Sequence, residues 1–193
     1  MRQSTDRPHL KTVIRRWTEV SDKERLIPAI DAVFFEASAT KSFASGAERE
    51  AFRERWLGRY LADEPRWAYL AIDVGGALAG YLVGSLEDPA RGGRHADVGY
   101  FKDFAPLTLE YPAHLHVNLA PCYRNRGIGA RLIEAFAADA ARAGAGGMHV
   151  VTGAGMRNVK FYERNGFREL SRASAGAREV VFLARRLSAA ETA

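Results

Sequence analysis

Residues 112–136, PAHLHVNLAPCYRNRGIGARLIEAF, run from a strand-like segment through a basic, glycine-containing turn into an amphipathic helix. The first part mixes apolar residues with two histidines and Asn118, and Pro121 ends it. After the turn, apolar residues recur at every fourth position over 128–140, which predicts a helix with one buried face. The rest of the chain is interpreted outward from this strand, turn and helix.

The turn has the composition of an anion site. The first amides of a helix lack intrahelical partners and lie at the positive end of its dipole. Gly127 and Gly129 carry no side chain, so we expect a phosphate to approach the backbone closely. Arg124 and Arg126 add positive charge at the same place. We interpret the turn as a pyrophosphate-binding site, although an ordinary basic turn would share these features.

Two common phosphate motifs do not fit this turn. The chain contains no GxxxxGK[ST], and the third position of GxGxxG is occupied by Leu132. The spacing that fits is Arg-x-x-Gly-x-Gly at 124–129, which resembles the GNAT superfamily of N-acetyltransferases. In that family a strand, this turn and a helix bind the pyrophosphate of acetyl-CoA.

Composition predicts a single domain over 1–193 with a core at 11–187. The chain is 47% hydrophobic, enough for a sizeable core, and has no apolar run long enough to span a bilayer. The N-terminus MRQSTDRPHLK lacks the apolar region of a secretory signal, and a single cysteine excludes an internal disulfide. We therefore predict a cytoplasmic protein. The net charge of +5 comes without a Lys/Arg-rich block, so no nucleic-acid partner is expected.

The predicted element order is β-α-α-β-β-loop-β-α-β-α-β-β, which resembles the GNAT topology over 11–187. A capping box at 21–24 is expected to start the first helix, with Pro28 kinking it or delaying its start. The resemblance implies an α/β (mixed α+β) fold: a mostly antiparallel, twisted sheet of about seven strands, a V-shaped splay between strands 4 and 5, and about four flanking helices. The predicted strands are 12–20, 67–73, 77–86, 113–119, 148–152, 167–170 and 179–187, and the later predicted helices are 47–61, 127–142 and 156–165.

Residues 87–111 form the least regular part of the sequence. A connection of this length favours a functional loop or a short extra helix. The overlapping stretch FKDFAPLTLEYPAHLH, 101–116, also resembles the corresponding part of the acetyltransferase-like domain attached to some O-GlcNAc hydrolases. Its aromatic residues would either wall an acceptor pocket or pack the insert against the core.

A second motif, NVKFYERNGF at 158–167, supports the resemblance. Asn158 and Tyr162 lie four residues apart and share a helical face. In the family, an asparagine at this position contacts the pantetheine arm, and a tyrosine at the position of Tyr162 points at the thioester sulfur. A phenol with a pKa near ~10 can protonate a departing thiolate. The alternative is that Tyr162 is a half-buried packing residue.

An acceptor amine must lose its proton before it attacks a thioester. His116 is our candidate base; His114, Glu110, Asp103 and Asp97 are alternatives, and each histidine could equally be a structural residue. A metal site at the two histidines lacks a third ligand at a telling spacing, so no metal is expected. Cys122 shows no sign of an activated thiolate.

The sequence thus predicts an enzyme that transfers an acetyl group from acetyl-CoA directly to a primary amine on a small molecule or peptide. Its catalytic residues would be Tyr162 as general acid and His116. The alternatives are a non-catalytic acyl-CoA-binding module and, less favoured, a nucleic-acid-binding protein; a membrane partner is not expected, and the protein would be a monomer or homodimer. The resemblance implies that these residues contact the cofactor: Asn118, Leu119, Ala120, Arg124, Asn125, Arg126, Gly127, Ile128, Gly129, Ala130, Arg131, Asn158 and Phe161.

Overall fold

The computed structural model describes residues 11–188. The N-terminal stretch that was checked for a secretory signal and nearly all of the predicted C-terminal tail lie outside these residues. Within them, no helix combines the length and the apolar character needed to cross a bilayer.

Seven strands form one mixed sheet, as predicted. They are β1 (Thr12–Arg16), β2 (Ala68–Asp73), β3 (Leu78–Ser85), β4 (Ala113–Leu119), β5 (Gly147–Gly153), β6 (Arg168–Ala175) and β7 (Arg178–Arg186). Their order across the sheet is β1-β2-β3-β4-β5-β7-β6. Neighbouring strands are antiparallel except β4 and β5, which are parallel.

The predicted splay between β4 and β5 is present. The two strands pair only where Ala113 faces Met148 and His114 faces His149. Beyond His114 the remaining backbone of β4 has no partner on the β5 side, because the strands diverge toward the carboxyl end of β4. The sheet therefore opens beside the basic turn that follows β4.

The helices cover both faces of this sheet. The helix that begins as α2 continues through a π-helical turn at Glu54–Gly58 into α3, so that α1, α2–α3, α6 and α7 are the four expected flanking helices. The two short helices α4 and α5 lie in the 87–111 insert and confirm the extra helical structure considered for it. The bounds are α1 (Lys23–Ala37), α2 (Gly46–Arg53), α3 (Arg59–Asp63), α4 (Tyr100–Asp103), α5 (Ala105–Glu110), α6 (Ile128–Arg142) and α7 (Arg157–Arg164).

Three local predictions were wrong. The N-cap of α1 is Asp22, whose Oδ1 accepts the Arg25 N–H at 3.3 Å. Of the two effects predicted for Pro28, a delayed start is excluded because the helix begins at Lys23, and a kink stays a prediction. The first strand ends at Arg16 because the chain turns into a 3-10 segment that buries Trp17. The sixth strand extends to Ala175, since a tight turn lets it pair with β7 along most of its length.

The core lies in two main layers, one on each face of the sheet. One layer packs α6 and α7 against the sheet around Phe136, which is fully buried. The other packs α1 and α2–α3 around Ile30, Leu57 and Tyr60. The strand β4 contributes to both layers because its successive side chains point to opposite faces. Its residues 114, 116 and 118 consequently face the α1 and α2–α3 side.

Candidate functional site

The N-terminus of α6 has no cap. Gly127 occupies the N-cap position with φ 75°, and no side chain bonds to this end of the helix. The first backbone hydrogen bond across the start of the helix runs from the Arg131 N–H to the Gly127 carbonyl, at 3.1 Å. The amides of residues 128–130 are therefore free of intrahelical partners. Such an end, entered through a left-handed Asn125 and Gly127, suits the diphosphate of a nucleotide cofactor.

The two arginines of the turn have different surroundings. The Nε of Arg124 donates to the Leu119 carbonyl at 3.0 Å, and its guanidinium pairs with Glu36 of α1. Arg124 therefore fixes the turn against the end of β4 and against α1. Arg126 is exposed and forms no ion pair with the described residues, so it is the positive charge available to an anion.

The structure gives a packing reason for a glycine at 129. Gly129 is buried, and a Cβ built there would lie 2.8 Å from Cζ of Phe161 and 3.5 Å from a methyl carbon of Leu119. The glycine thus lets α7 pack directly against the first turn of α6, which is a requirement separate from the expected approach of a phosphate. A Cβ at Gly127 would meet nothing within 4 Å, so there the positive φ is the requirement.

We expect Gly129→Val to weaken coenzyme A binding by about ten-fold or more. The branched side chain must displace Phe161 and with it α7, at a cost of about 1–3 kcal/mol for overpacking. Calorimetric titration with coenzyme A measures the change. Gly93→Val is a control, because a Cβ at that exposed position meets nothing within 4 Å. Unchanged affinity in Gly129→Val would show that the contact between α6 and α7 does not shape the site.

Arg131 serves β1 in this structure. Its guanidinium donates to the Oγ1 and to the carbonyl oxygen of Thr12, both at 2.8 Å. Its amide bonds to Gly127, as described above. We therefore assign Arg131 to the packing of α6 on β1 and leave it out of the cofactor site that the resemblance implied.

Arg131→Met is expected to lower the free energy of unfolding by about 1–2 kcal/mol, because the buried Thr12 loses its donors. Coenzyme A affinity should not change. Arg126→Met is the matched variant. It should lower the affinity for coenzyme A and leave the free energy of unfolding unchanged. Urea denaturation and calorimetry on both variants test the pair. A loss of affinity in Arg131→Met would return this residue to the cofactor site.

The end of β4 offers one backbone donor to the opening. Ala120 donates to the Ala79 carbonyl at 3.0 Å, and Leu119 lies opposite Gly80. Since backbone groups alternate along an antiparallel strand, the amides of Asn118 and Ala120 belong to the β3 ladder. The amide of Leu119 points the other way, into the splay. The Asn118 side chain donates to the Tyr81 hydroxyl at 2.9 Å and faces the α1 side.

On the other side of the opening lies α7. Asn158 exchanges hydrogen bonds with Thr152 Oγ1 of β5 at 2.9 and 3.1 Å. Tyr162 is 6% exposed and lies against the rings of Phe161 and Phe167. Its hydroxyl has no hydrogen-bond partner among residues 11–188. Burial raises the pKa of Tyr162, so the phenol stays protonated at neutral pH.

His116 lines a pocket of about 260 Å³ on the opposite face of the sheet. Its Nε2 lies 3.3 Å from the Tyr60 hydroxyl, and the Trp56 ring meets it edge-on at 5.5 Å. Burial, followed by the nearby His95, lowers the pKa of His116 to about 4, so the imidazole is neutral at physiological pH. We call this the His116 pocket. Its lining residues are Phe34, Ser38, Ala39, Thr40, Phe52, Trp56, His116 and Asn118.

The other proposed bases are engaged or distant. His114 is buried; its Nδ1 lies 3.4 Å from the Pro112 carbonyl, and burial holds its pKa well below the usual range. Asp97 pairs with two arginines of α2–α3, and Glu110 pairs with Arg186. Asp103 is exposed on α4. Within the described part of the chain, no group of three or more His, Cys, Asp or Glu side chains is arranged to hold a metal ion.

Sequence reasoning missed most of the His116 pocket. The spacing of Phe52, Trp56 and Tyr60 places them on one face of the predicted helix over 47–61, but the periodicity does not reveal what that face covers. It packs against the histidines of β4. His95 and His149 were also missed; they surround His114 with ring centroids 4.7 and 5.5 Å away. Pairing of β4 with β5 brings His149 there, and no local pattern signals that pairing.

A family model described as an acetyltransferase (GNAT) domain matches residues 69–169, more than half of the chain. The chain belongs to the GNAT acetyltransferase family. The match contains both the basic turn and Tyr162, the two features that carried the resemblance. The splayed parallel pair β4 and β5 is where this GNAT domain brings those features together.

Solved structures agree with this GNAT fold. The protein SsHAT superposes with a TM-score of 0.69 and 22% identity over 91% of this chain and 98% of its own. Drosophila melanogaster polyamine N-acetyltransferase superposes with a TM-score of 0.65 and 16% identity, over 92% of this chain and 100% of its own. The phosphinothricin acetyltransferase of Sinorhizobium meliloti, in complex with AcCoA, superposes with a TM-score of 0.61 and 18% identity, over 94% of this chain and 91% of its own. At these identities the likeness shows the fold alone.

Proposed function

We propose that the chain is an N-acetyltransferase that moves an acetyl group from acetyl-CoA directly to a primary amine of a small molecule or peptide. One observation carries this proposal. The uncapped end of α6 and the His116 pocket lie at the same strand end, so that β4 alone separates the proposed cofactor site from the proposed acceptor site. Direct transfer needs both substrates at one opening, which this arrangement provides.

The cofactor side of the site consists mainly of backbone. The amides of residues 128–130 hold the diphosphate, and Arg126 adds charge; Asn125 and Gly127 shape the turn. Bound acetyl-CoA supplies an acetyl group activated as a thioester. The Leu119 amide is placed to donate to the acyl oxygen, where negative charge develops during attack. Leu119, Ala120 and Phe161 pack beside the same core layer, and Asn158 can exchange its bond to Thr152 for one to the pantetheine arm.

Tyr162 is proposed to act as the general acid. Its hydroxyl is protonated and has no bond within the described chain to break, so it can donate to a departing thiolate. The desolvated surroundings strengthen such a hydrogen bond.

His116 is proposed to receive the proton of the acceptor amine. An imidazole with a pKa of about 4 presents a free lone pair at neutral pH but cannot keep the proton. Because the Tyr60 phenol at Nε2 is buried and keeps its own proton, the proton taken from the amine leaves His116 for solvent through the pocket. An aromatic pocket with no acidic lining also favours the neutral form of the amine, which is the form that attacks.

A non-catalytic acyl-CoA-binding module is the alternative, because every cofactor contact would serve it equally well. Calorimetry with coenzyme A, followed by thiol release from acetyl-CoA against a panel of primary amines, separates the two. We expect binding together with amine-dependent thiol release. Binding without release for any amine would favour the module, and absence of binding would exclude both. Analytical ultracentrifugation of the same sample measures the oligomeric state, and we expect a monomer or a homodimer. We also propose that the protein is cytoplasmic.

A further inference from the structure

A second depression adjoins the His116 pocket. This outer depression has a volume of about 460 Å³ and shares Thr40 with the His116 pocket. It lies between the end of α1 and the start of α2. Its lining residues are Phe35, Thr40, Lys41, Phe43, Ser45, Gly46 and Arg49.

Four phenylalanine rings form a wall common to both cavities. Phe34 and Phe52 line the His116 pocket, and their ring centroids are 5.5 Å apart. Phe35 and Phe43 line the outer depression, with centroids 6.0 Å apart. Contacts at 4.9 Å between Phe34 and Phe35 and at 5.3 Å between Phe43 and Phe52 close the ring. A ligand with its amine near His116 can thus extend along one aromatic surface into the outer depression.

The outer depression is positively charged. The Arg49 guanidinium lies 3.5 Å from the centre of the Phe35 ring and forms no ion pair with residues 11–188. Stacking leaves the N–H edge of the guanidinium free, and that edge matches a carboxylate. The Lys41 ammonium donates to the carbonyl oxygens of Phe35 and Glu36, at 3.3 and 2.5 Å. Neither cation is neutralised by a carboxylate of the lining.

The acidic residues nearest this depression have other partners. Glu36 pairs with Arg124, and Glu50 pairs with Arg53. The Glu48 carboxylate accepts the Ala44 N–H at 2.5 Å and does not line the depression. Lys41 and Arg49 are the charged residues that line the outer depression, whereas the His116 pocket is lined by uncharged residues, so the two cavities together suit a ligand with an anion at one end only.

We propose that the outer depression binds a carboxylate, so that the acceptors are amines whose far end carries an acidic group. This rests on the proposed function. The amine enters the His116 pocket, the body of the molecule lies along the four rings, and the carboxylate binds Arg49 in bidentate fashion with Lys41 beside it.

The test uses ω-amino carboxylates of increasing chain length, each paired with its uncharged carboxamide. We expect wild type to prefer the acid of at least one pair by about ten- to a hundred-fold in kcat/KM. Arg49→Gln should abolish that preference while leaving the carboxamide rate and the KM for acetyl-CoA unchanged. Arg25→Gln is the control, because it removes the same charge from an exposed site on α1 and should keep the preference.

Calorimetric titration of each acid and carboxamide into the complex with coenzyme A gives a readout that does not need turnover. Tighter binding of the acid in wild type, lost in Arg49→Gln, supports the proposal even if no amine is acetylated; in that case only the proposed function fails. Equal binding of acid and carboxamide overturns the proposal, and so does a preference that survives Arg49→Gln. A rise in the KM for acetyl-CoA with both acceptors also overturns it, since Arg49 would then serve the cofactor.

Discussion

Replacing Tyr162 with phenylalanine is expected to lower kcat by about 10²- to 10⁴-fold, the range typical of a lost general acid. The ring stays in place, because its contacts with Phe161 and Phe167 need no hydroxyl. The KM for acetyl-CoA should change little, since the phenol is proposed to act on charge that develops only as the thiolate leaves. Steady-state kinetics with both substrates varied measure the two parameters separately.

Tyr111→Phe is the matched control for this prediction. Tyr111 is likewise a buried tyrosine whose hydroxyl has no hydrogen-bond partner within the described chain, but it packs in the layer formed by the insert and β7. We expect the kcat of Tyr111→Phe to stay within about two-fold of wild type, because the hydroxyl that it loses makes no hydrogen bond within the described chain. If Tyr162→Phe raised the KM for acetyl-CoA with kcat unchanged, Tyr162 would be a binding residue and another group would have to protonate the thiolate.

The sequence predicted the fold well where local patterns determine it. The four-residue spacing from Ile128 onward and the glycines after Arg142 bounded α6 correctly. The consecutive glycines 75 and 76, between the predicted strands 67–73 and 77–86, likewise indicate the hairpin that β2 and β3 form. Both features depend on the periodicity or the turn residues of a short stretch of sequence. Contacts with distant parts of the chain do not alter these local signals.

The roles of individual site residues could not be predicted in the same way. Arg124 pairs with Glu36, 88 positions away, and Arg131 bonds to Thr12, 119 positions away. The sequence shows that an arginine is present but not which distant group will meet it. The same holds for Gly129, whose neighbour Phe161 belongs to another helix. A motif therefore located the site, whereas the division of its residues into binding and packing depended on tertiary contacts.

Acid is expected to unfold this protein well above the pH at which its carboxylates titrate. Burial is the main cause that lowers the pKa of His95, His116 and His149 from 6.5 to about 4, and it also holds the pKa of His114 well below its usual range. The unfolded chain therefore binds more protons than the folded chain between pH 6.5 and 4. Stability must fall as the pH falls through this window, by up to about 1.4 kcal/mol per pH unit for each histidine.

The surroundings of the four histidines explain why they remain neutral. The Nε2 atoms of His95, His114 and His149 are buried without a partner in the described chain, and the Tyr60 hydroxyl is the neighbour of His116. None of the four forms an ion pair with a carboxylate of the described residues. Asp97 is committed to Arg55 and Arg59, and Asp88, whose charge raises the pKa of His149 against the larger effect of burial, pairs with Arg91. A proton added to one ring would also repel the others, since the centroids of His114 and His149 are 5.5 Å apart. Protonation is thus resisted by desolvation and by mutual repulsion together.

Urea denaturation at a series of pH values measures this slope directly. Asp73 and Glu134 have pKa values held below 3.8 and 4.5, so their contribution is retained until the pH approaches those values. Between pH 6.5 and 5 the slope therefore reports the histidines. His149→Gln should reduce it by about one proton, whereas Asp103→Asn, on the exposed side of α4, should leave it unchanged. A flat free energy of unfolding across this window would mean that the buried histidines bind protons as readily in the folded protein as in the unfolded chain, so that burial does not lower their pKa values. The low pKa of His116, and with it the easy release of a proton taken from an amine, would then be wrong.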